Sequence, residues 1–480
     1  MKSIRNATLL SLAQRYVAFI IQLLTSIVLA RLLSPSETGI FSLAAAIVSI
    51  AQLMRDFGIG EYVVQEKNLT SERLRSVLGV SVIIAWSVAI LLFVSAGKIS
   101  DYYQETGVST VVHVLALNFL LLPIGTTTFS VLTKEMAFKE LFWIQTLSAL
   151  VVSALSITLA WQGHSYMSLA WGSVAGSLTN VLLLGIVRPA QTFMLPQFSG
   201  IREICRFGGT ITAGRLFDQI CRRAPDMMIA QSLGFHAVGI NSKAGSLLDA
   251  FQDFFVSGIS RVATPAFAKS LHNNGDTKTA YLKSIEILAV IPLAFFLLLL
   301  LMAEALIYLL FGENWLEAVA LVRIGALGGL LATPYFLAPP ILTAHGQVKI
   351  ILQVQFFGGT AFLFLLYFAV THSLEAVALA GVLGSFIKIC LLQSGLRKCI
   401  DLGWLQLLAA CKKSAIIAVL TLLVTAPTIL LYEGTTKSAF SAVASSSVMA
   451  TLTLTICLFI FEHPISNELK TLWNKWTTTN

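Results

Sequence analysis

Long apolar runs recur along the whole chain, and polar residues are concentrated in the short stretches between them. A helix needs about 20 mainly apolar residues to cross a bilayer. The runs are continuously apolar and do not alternate with polar residues, which favours helices over the strands of a membrane barrel. The pattern predicts fourteen spans, near residues 8–30, 37–57, 77–97, 109–131, 141–161, 165–187, 209–231, 236–258, 284–311, 318–343, 349–370, 374–396, 409–431 and 438–461.

Composition and charge agree with a membrane protein. Of the 480 residues, 56% are hydrophobic and 12% are charged, about half the charged share of a soluble protein. If the N-terminus is cytoplasmic, 18 of the 32 Lys and Arg residues belong to the cytoplasmic gaps and tails, 3 to the outer gaps and 11 to the spans. Such a bias sets orientation, so we expect both termini in the cytoplasm. This bias accounts for most of the net charge of +8, so nucleic acid is not an expected partner.

The chain repeats itself at an offset of 200 residues. Residues 13–59 align with 213–259 without gaps, so the first span pairs with the seventh and the second with the eighth. The two copies are six spans apart, and an even number of crossings returns the chain to the same side of the membrane. Both copies therefore enter the membrane in the same direction, which predicts parallel repeats. We therefore predict an all-α polytopic membrane protein with six-helix lobes at 1–200 and 201–400 around a central cavity, and two further helices within 401–480. A duplicated packing motif without a cavity is the alternative. The identical positions are Ala13, Arg15, Ile20, Ala30, Leu33, Gly39, Ile40, Ser42, Ala44, Gln52, Gly58 and Ile59.

Six stretches carry a resemblance to a known family: "ARLLSPSETGIFSLA", "MRDFGIGEYVVQEKNLT", "PDMMIAQSLGFHAVGINSKAG", "SRVATPAFAKS", "FGENWLEAVALVRI" and "TAHGQ". They resemble the bacterial polysaccharide and lipid-linked oligosaccharide flippases of the multidrug/oligosaccharidyl-lipid/polysaccharide exporter superfamily. Relatives usually carry a tyrosine where this chain has Asn241.

That resemblance implies a transporter of the bacterial inner membrane that works by alternating access. Its substrate would be an oligosaccharide repeat unit on undecaprenyl pyrophosphate, flipped from the cytoplasmic to the periplasmic leaflet for O-antigen or exopolysaccharide assembly. The implied partners are this lipid-linked oligosaccharide and membrane lipids, with a polysaccharide polymerase and the export machinery as further candidates.

Polar side chains are concentrated in the four spans that pair in the repeat. Ionisable groups inside a span are costly unless they face a partner or a wet cavity. In the seventh span, "GTITAGRLFDQICRRAPDMMIAQ", positions 215, 218, 219, 222 and 226 fall on one helical face. Most other spans are apolar, which indicates that they surround the polar spans and face the lipid.

A pyrophosphate-linked sugar needs cations for its phosphates, for which arginine is well suited, and a hydrogen-bonding cavity for its sugar. We assign pyrophosphate binding to Arg15, Arg215, Arg222 and Lys243. We assign the polar lining of the cavity to Gln14, Gln22, Gln52, Asp218, Gln219, Asn241, Asp249, Gln252 and Asp253.

Other interpretations of these residues stay open. Arg215 with Asp218, or Arg222 with Asp226, can form ion pairs that only hold helices together. Arg55 lies near the end of its span and can reach the lipid headgroups.

Two other classes of protein are compared with the flippase. A cation- or proton-coupled antiporter of small amphipathic compounds is the alternative, but a mixture of arginines and carboxylates fits an anionic sugar lipid better. An enzyme is not expected, because the outer loops are short and the chain has no nucleophile–base pair, phosphate-binding glycine loop or metal cluster. No cofactor or metal is expected. A coupling proton or sodium ion is left open, with Asp218, Asp226, Asp249 and Asp253 as candidate sites.

Overall fold

The computed structural model describes residues 2–66, 69–198, 201–273, 275–461 and 463–465, except for the side chains of residues 2–13, 15, 201–207, 210, 211, 213, 253, 430 and 431. All regular structure among the described residues is helical. The α-helices are α1 (Lys2–Leu32), α2 (Pro35–Asp56), α3 (Ile59–Gln65), α4 (Ser71–Tyr103), α5 (Thr106–Lys134), α6 (Phe138–Trp161), α7 (Met167–Val187), α8 (Pro189–Thr192), α9 (Ile201–Ser232), α10 (Gly234–Phe251), α11 (Ser257–His272), α12 (Thr277–Leu288), α13 (Val290–Phe311), α14 (Ala318–Ala332), α15 (Ala338–Ala344), α16 (Val348–Ala369), α17 (Leu374–Ile400), α18 (Trp404–Thr425) and α19 (Thr436–Ile460).

Eleven segments of the described chain are long and apolar enough to cross a membrane. They are Pro35–Gln65, Ser71–Tyr103, Thr106–Lys134, Phe138–Trp161, Met167–Val187, Thr277–Phe311, Ala318–Ala344, Val348–Ala369, Leu374–Ile400, Trp404–Ile429 and Thr436–Ile460. The described apolar part of α1, Tyr16–Leu32, is shorter, and α9 and α10 carry the polar residues of the repeat. The prediction of an all-helical, multi-pass membrane protein is confirmed.

Short irregular helical segments lie within or between several spans. A π-helix at Gln252–Val256 joins α10 to α11, and 3₁₀ segments occupy Glu313–Trp315, Thr333–Tyr335 and Ala426–Leu431. The tenth predicted span contains three prolines, and it is broken into α14, a 3₁₀ turn and α15. Proline has no backbone N–H and clashes with the preceding helical turn, which explains the break.

The chain forms two compact units, residues 1–239 and 240–480. In the first unit, α4 packs on α5, α6 packs on α7 and α1, and α9 packs on α2, α3 and α4. In the second unit, α16 packs on α17, while α13 contacts α14, α18 and α19. The division of the lobes at residue 200 stays a prediction.

The junction between α1 and α2 is defined by a capping box. The Ser34 hydroxyl accepts a hydrogen bond from the Glu37 backbone N–H at 3.3 Å, and the Glu37 carboxylate accepts one from the Ser34 N–H at 2.7 Å. Pro35 occupies the first helical position, where its fixed φ suits a helix and no N–H is needed. The sequence "SPSE" therefore starts α2 at a defined residue.

The repeated glycines Gly39 and Gly239 lie at a close helix crossing. A Cβ atom on Gly39 would lie 1.8 Å from the backbone oxygen of Phe235, and one on Gly239 would lie 1.9 Å from that of Pro35. Pro35 and Phe235 are themselves equivalent at the offset of 200. The two copies of the junction therefore contact each other through equivalent positions, and only glycine allows this backbone approach.

Candidate functional site

A cavity of about 640 Å³ lies within the first unit. Residues of α2, α3, α5, α6, α7 and α9 line it. Its size falls within the range of small-molecule binding sites, roughly 300–1,000 Å³. The lining divides into a charged part and a neutral polar part, which are described in turn.

The charged part is built from two arginines and two carboxylates. Nη1 of Arg215, on α9, donates to Oε1 of Glu61, on α3, at 2.7 Å, and Nη2 of Arg55 donates to Oδ1 of Asp56 at 2.6 Å. All four residues line the cavity. The side chains of Arg215 and Glu61 are 55% and 44% exposed, so this ion pair is accessible to a ligand.

Arg55 is the more buried of the two cations. Its side chain is 13% exposed, and its Cζ lies 5.4 Å from the centroid of the Phe119 ring. Its Nη1 is buried and has no hydrogen-bond partner among the described residues. Arg55 therefore lines the cavity, and its interpretation as a headgroup anchor stays a prediction.

The neutral polar part comes from α6 and α7. Ser173, Ser177 and Asn180 lie at i, i+4 and i+7 on α7, and Ser148 adds a hydroxyl from α6. Asn118 of α5 supports this surface by donating from Nδ2 to Oγ of Ser173 at 3.2 Å. We call Ser148, Ser173, Ser177 and Asn180 the polar wall.

Close packing of α6 and α7 positions the polar wall. A Cβ on Gly172 would lie 1.9 Å from Oγ of Ser156, and one on Gly176 would lie 2.2 Å from Cγ2 of Val152. These two spans were expected to be apolar, and the polar wall was not predicted. The available signal was the recurrence of small polar residues at helical spacing in an otherwise apolar span.

Of the residues predicted on α9, Arg215 lines the cavity, whereas Asp218, Gln219 and Arg222 are not among its lining residues. Nε of Arg222 donates to Oδ2 of Asp218 at 2.8 Å, and Nε2 of Gln219 donates to Oγ of Ser49 at 3.1 Å. Arg215 thus pairs with Glu61, and Asp218 pairs with Arg222, one helical turn further along α9.

Gln14, Gln22 and Gln52, predicted from the first two spans, are not among the lining residues of this cavity. Nε2 of Gln14 donates to Oε1 of Gln145 at 2.6 Å and so connects α1 to α6. Gln22 is exposed and Gln52 is partly buried. The side chain of Arg15 lies outside the described residues, so its role stays a prediction.

Lys243, in the second unit, lies against two aromatic rings. Its Nζ is 5.3 Å from the ring centroid of Phe311 and 5.5 Å from that of Trp315. At these distances the electron-rich faces of both rings attract the ammonium group. Gly312 lies between these aromatic residues with φ 97° and ψ −179°, a conformation that is essentially limited to glycine. The stretch "FGENW" therefore builds the corner that encloses Lys243.

The other predicted residues of the second unit are more dispersed. Asn241 is partly buried, and Asp249 and Gln252 are exposed. Gln252 begins the π-helix, a feature that is frequent at functional sites. The side chain of Asp253 lies outside the described residues.

Comparison with known proteins gives consistent matches. Residues 28–320 match the family described as polysaccharide biosynthesis protein. The chain is 25% identical over 336 residues to the teichuronic acid biosynthesis protein TuaB of Bacillus subtilis, covering 69% of each chain. It is 23% identical over 335 residues to the lipopolysaccharide biosynthesis protein WzxC of Escherichia coli, covering 69% of this chain and 68% of that protein. The fold is similar to an inward closed structure of the lipid II flippase MurJ, with a TM-score of 0.77 and 12% identity over 95% of this chain and 99% of the other.

Proposed function

The chain belongs to the polysaccharide biosynthesis protein family, and we propose that it flips undecaprenyl-pyrophosphate-linked oligosaccharide repeat units from the cytoplasmic to the periplasmic leaflet. The names of the relatives point to cell-surface polysaccharides, and the fold is one that a lipid II flippase uses. The cavity of the first unit is the observation that carries the proposal, because it combines two arginines with neutral hydrogen-bonding groups. We assign the protein to the transporters and not to the enzymes.

Arg215 is the first contact that we propose for the pyrophosphate. An ion pair between side chains that are about half exposed is worth roughly 0.2–1 kcal/mol. A charge-assisted hydrogen bond from arginine to a phosphate is worth about 1.5–3 kcal/mol, and the contact can be bidentate. The pyrophosphate carries more charge than one carboxylate and can contact the guanidinium with two oxygens, so we propose that it displaces Glu61 from Arg215. Arg15, Arg222 and Lys243 stay proposed as further cations along the path.

Transport proceeds by alternating access, with both termini in the cytoplasm as the distribution of Lys and Arg favours. The polyprenyl tail stays in the bilayer while the polar head crosses. A carboxylate released from Arg215 is available to take up a proton, which adds Glu61 to the coupling candidates named above. A polymerase and the export machinery are the partners that we propose downstream.

The charge pattern of the cavity favours this function over the export of cationic compounds. A binding site for cations needs carboxylates that are available to the substrate. Here Glu61 and Asp56 are each paired with an arginine, and Arg55 retains a buried Nη1 without a hydrogen-bond partner among the described residues. The unsatisfied group is a cationic donor, which suits an anionic ligand.

Deletion of the gene in its host tests the proposal. We expect undecaprenyl pyrophosphate carrying a complete repeat unit to accumulate in the cytoplasmic leaflet, and the intact gene to clear it. Analysis of the extracted membrane lipids also identifies the sugar. Unchanged lipids together with unchanged surface polysaccharide would favour the antiporter of small amphipathic compounds.

A further inference from the structure

The polar wall forms a neutral hydrogen-bonding side of the cavity. Ser173, Ser177 and Asn180 come from one face of α7, and Ser148 comes from the neighbouring helix α6. The two arginines of the cavity, Arg55 and Arg215, come from other elements, α2 and α9. A ligand that fills the cavity therefore meets two arginines with their carboxylate partners and, from other helices, a set of neutral polar groups.

Ser148 has a hydroxyl that is available to a hydrogen-bonding ligand. The residue is 8% exposed, and its Oγ is buried without a hydrogen-bond partner among the described residues. A buried hydroxyl without a partner lowers stability, because it loses water and gains nothing in return. Thr126 and Ser130 of α5, which also line the cavity, instead donate to carbonyls of their own helix at 2.9 and 2.8 Å. Thr127 of α5 and Thr146 of α6 also have buried hydroxyls without a partner among the described residues, but they do not line the cavity. The unsatisfied hydroxyl of Ser148 lies on the side of the polar wall.

Resting on the proposed function, we infer that the polar wall is the subsite for the sugar next to the pyrophosphate. Each serine hydroxyl both donates and accepts, and the asparagine amide offers a donor and an acceptor at separate atoms. The hydroxyl groups of a sugar ring need this combination. Leu122 and Phe129 line the same cavity and offer apolar surface to the C–H groups of the ring.

This subsite distinguishes one sugar from another. A site that hydrogen-bonds a hydroxyl group discriminates against an analogue that lacks it, because polar groups of the protein are then left unpaired. Arg215, which we propose as the first contact of the pyrophosphate, meets a group that every undecaprenyl pyrophosphate carries and so provides no such selectivity. Recognition of the repeat unit therefore resides in the polar wall, and recognition of the carrier resides in the arginines.

The test compares two lipids on the full-length protein in nanodiscs. One is undecaprenyl pyrophosphate carrying its first sugar, and the other is undecaprenyl pyrophosphate alone. The double variant Ser177→Ala/Asn180→Leu should weaken binding of the sugar-bearing lipid by about 2- to 12-fold for each hydrogen bond lost. Binding of the lipid without sugar should change by less than about 2-fold. Thr179→Val is the matched control, since Thr179 donates to Ala175 O of its own helix and does not line the cavity.

Ser148→Ala separates a role in binding from a role in folding. This variant removes a buried hydroxyl that has no hydrogen-bond partner in the described chain, so the unfolding temperature should stay unchanged or rise. Binding of the sugar-bearing lipid should fall by about 2- to 12-fold. A lower unfolding temperature with equal losses for both lipids would overturn the inference, as would unchanged binding of the sugar-bearing lipid by the double variant. If the wild-type protein binds neither lipid, the proposed function fails, and the inference fails with it.

Discussion

Replacement of Glu61 by glutamine isolates the competition between a carboxylate and the pyrophosphate for Arg215. The Arg215–Glu61 pair is 2.7 Å long, with the two side chains 55% and 44% exposed. Solvent screening limits such a pair to roughly 0.2–1 kcal/mol. This free energy is subtracted from the binding free energy of the pyrophosphate, because the Arg215–Glu61 pair must break before the pyrophosphate binds Arg215. The variant Glu61→Gln should therefore bind undecaprenyl pyrophosphate up to about 5-fold more tightly, since 1.4 kcal/mol corresponds to a factor of ten.

Arg215→Gln should act in the opposite direction. Loss of a charge-assisted hydrogen bond of about 1.5–3 kcal/mol weakens binding by about 10- to 150-fold. Titration of the lipid into purified protein in nanodiscs measures both effects. Glu135→Gln is the matched control, because Glu135 pairs with Arg188 at 2.9 Å with both side chains 44% exposed, away from the cavity. If Glu61→Gln weakens binding as much as Arg215→Gln does, Glu61 orients the arginine and the competition argument is refuted.

Three further variants test other parts of the account. Gly39→Ala forces a methyl group onto a backbone oxygen and should lower the free energy of unfolding by about 1–3 kcal/mol. The control Gly97→Ala has open space around it and should raise the free energy of unfolding by about 0.4–1 kcal/mol. Denaturation in detergent measures both variants, and equal effects would contradict the close contact at Gly39. Trp315→Ala should cost about 3–5 kcal/mol by the same measurement, because Trp315 is fully buried, while Trp161→Ala, 80% exposed, should cost far less. Arg222→Ala should abolish polysaccharide export while the protein inserts at its normal level; full export would remove Arg222 from the proposed cations.

The fold could be predicted in detail because hydrophobicity determines which segments cross a membrane. The predicted span at 318–343 corresponds to Ala318–Ala344, and its prolines account for the break that separates α14 from α15. The repeat identified Gly39 and Gly239 as equivalent positions, and the structure adds the close contacts that they make. Length, apolarity and proline act locally, so a sequence displays them directly.

The site could be predicted only in part, because its contacts join distant parts of the chain. Arg215 was identified from the periodicity of α9, but its partner Glu61 lies 154 residues away in a short helix that the span count did not include. Helical spacing suggested Asp218 as the partner, and Asp218 instead pairs with Arg222. The polar wall was missed because serine scarcely lowers the hydropathy of a span, so the spans of α6 and α7 resemble purely apolar walls.

Flipping by the purified protein tests the central claim most directly. The protein is reconstituted into vesicles with undecaprenyl pyrophosphate carrying a complete repeat unit, and an enzyme or reagent that modifies the sugar only at the outer surface reports transfer between leaflets. We expect the wild-type protein to expose the lipid that starts in the inner leaflet, and Arg215→Ala vesicles to resemble vesicles without protein. Wild-type vesicles that transfer no more lipid than protein-free vesicles would contradict the account.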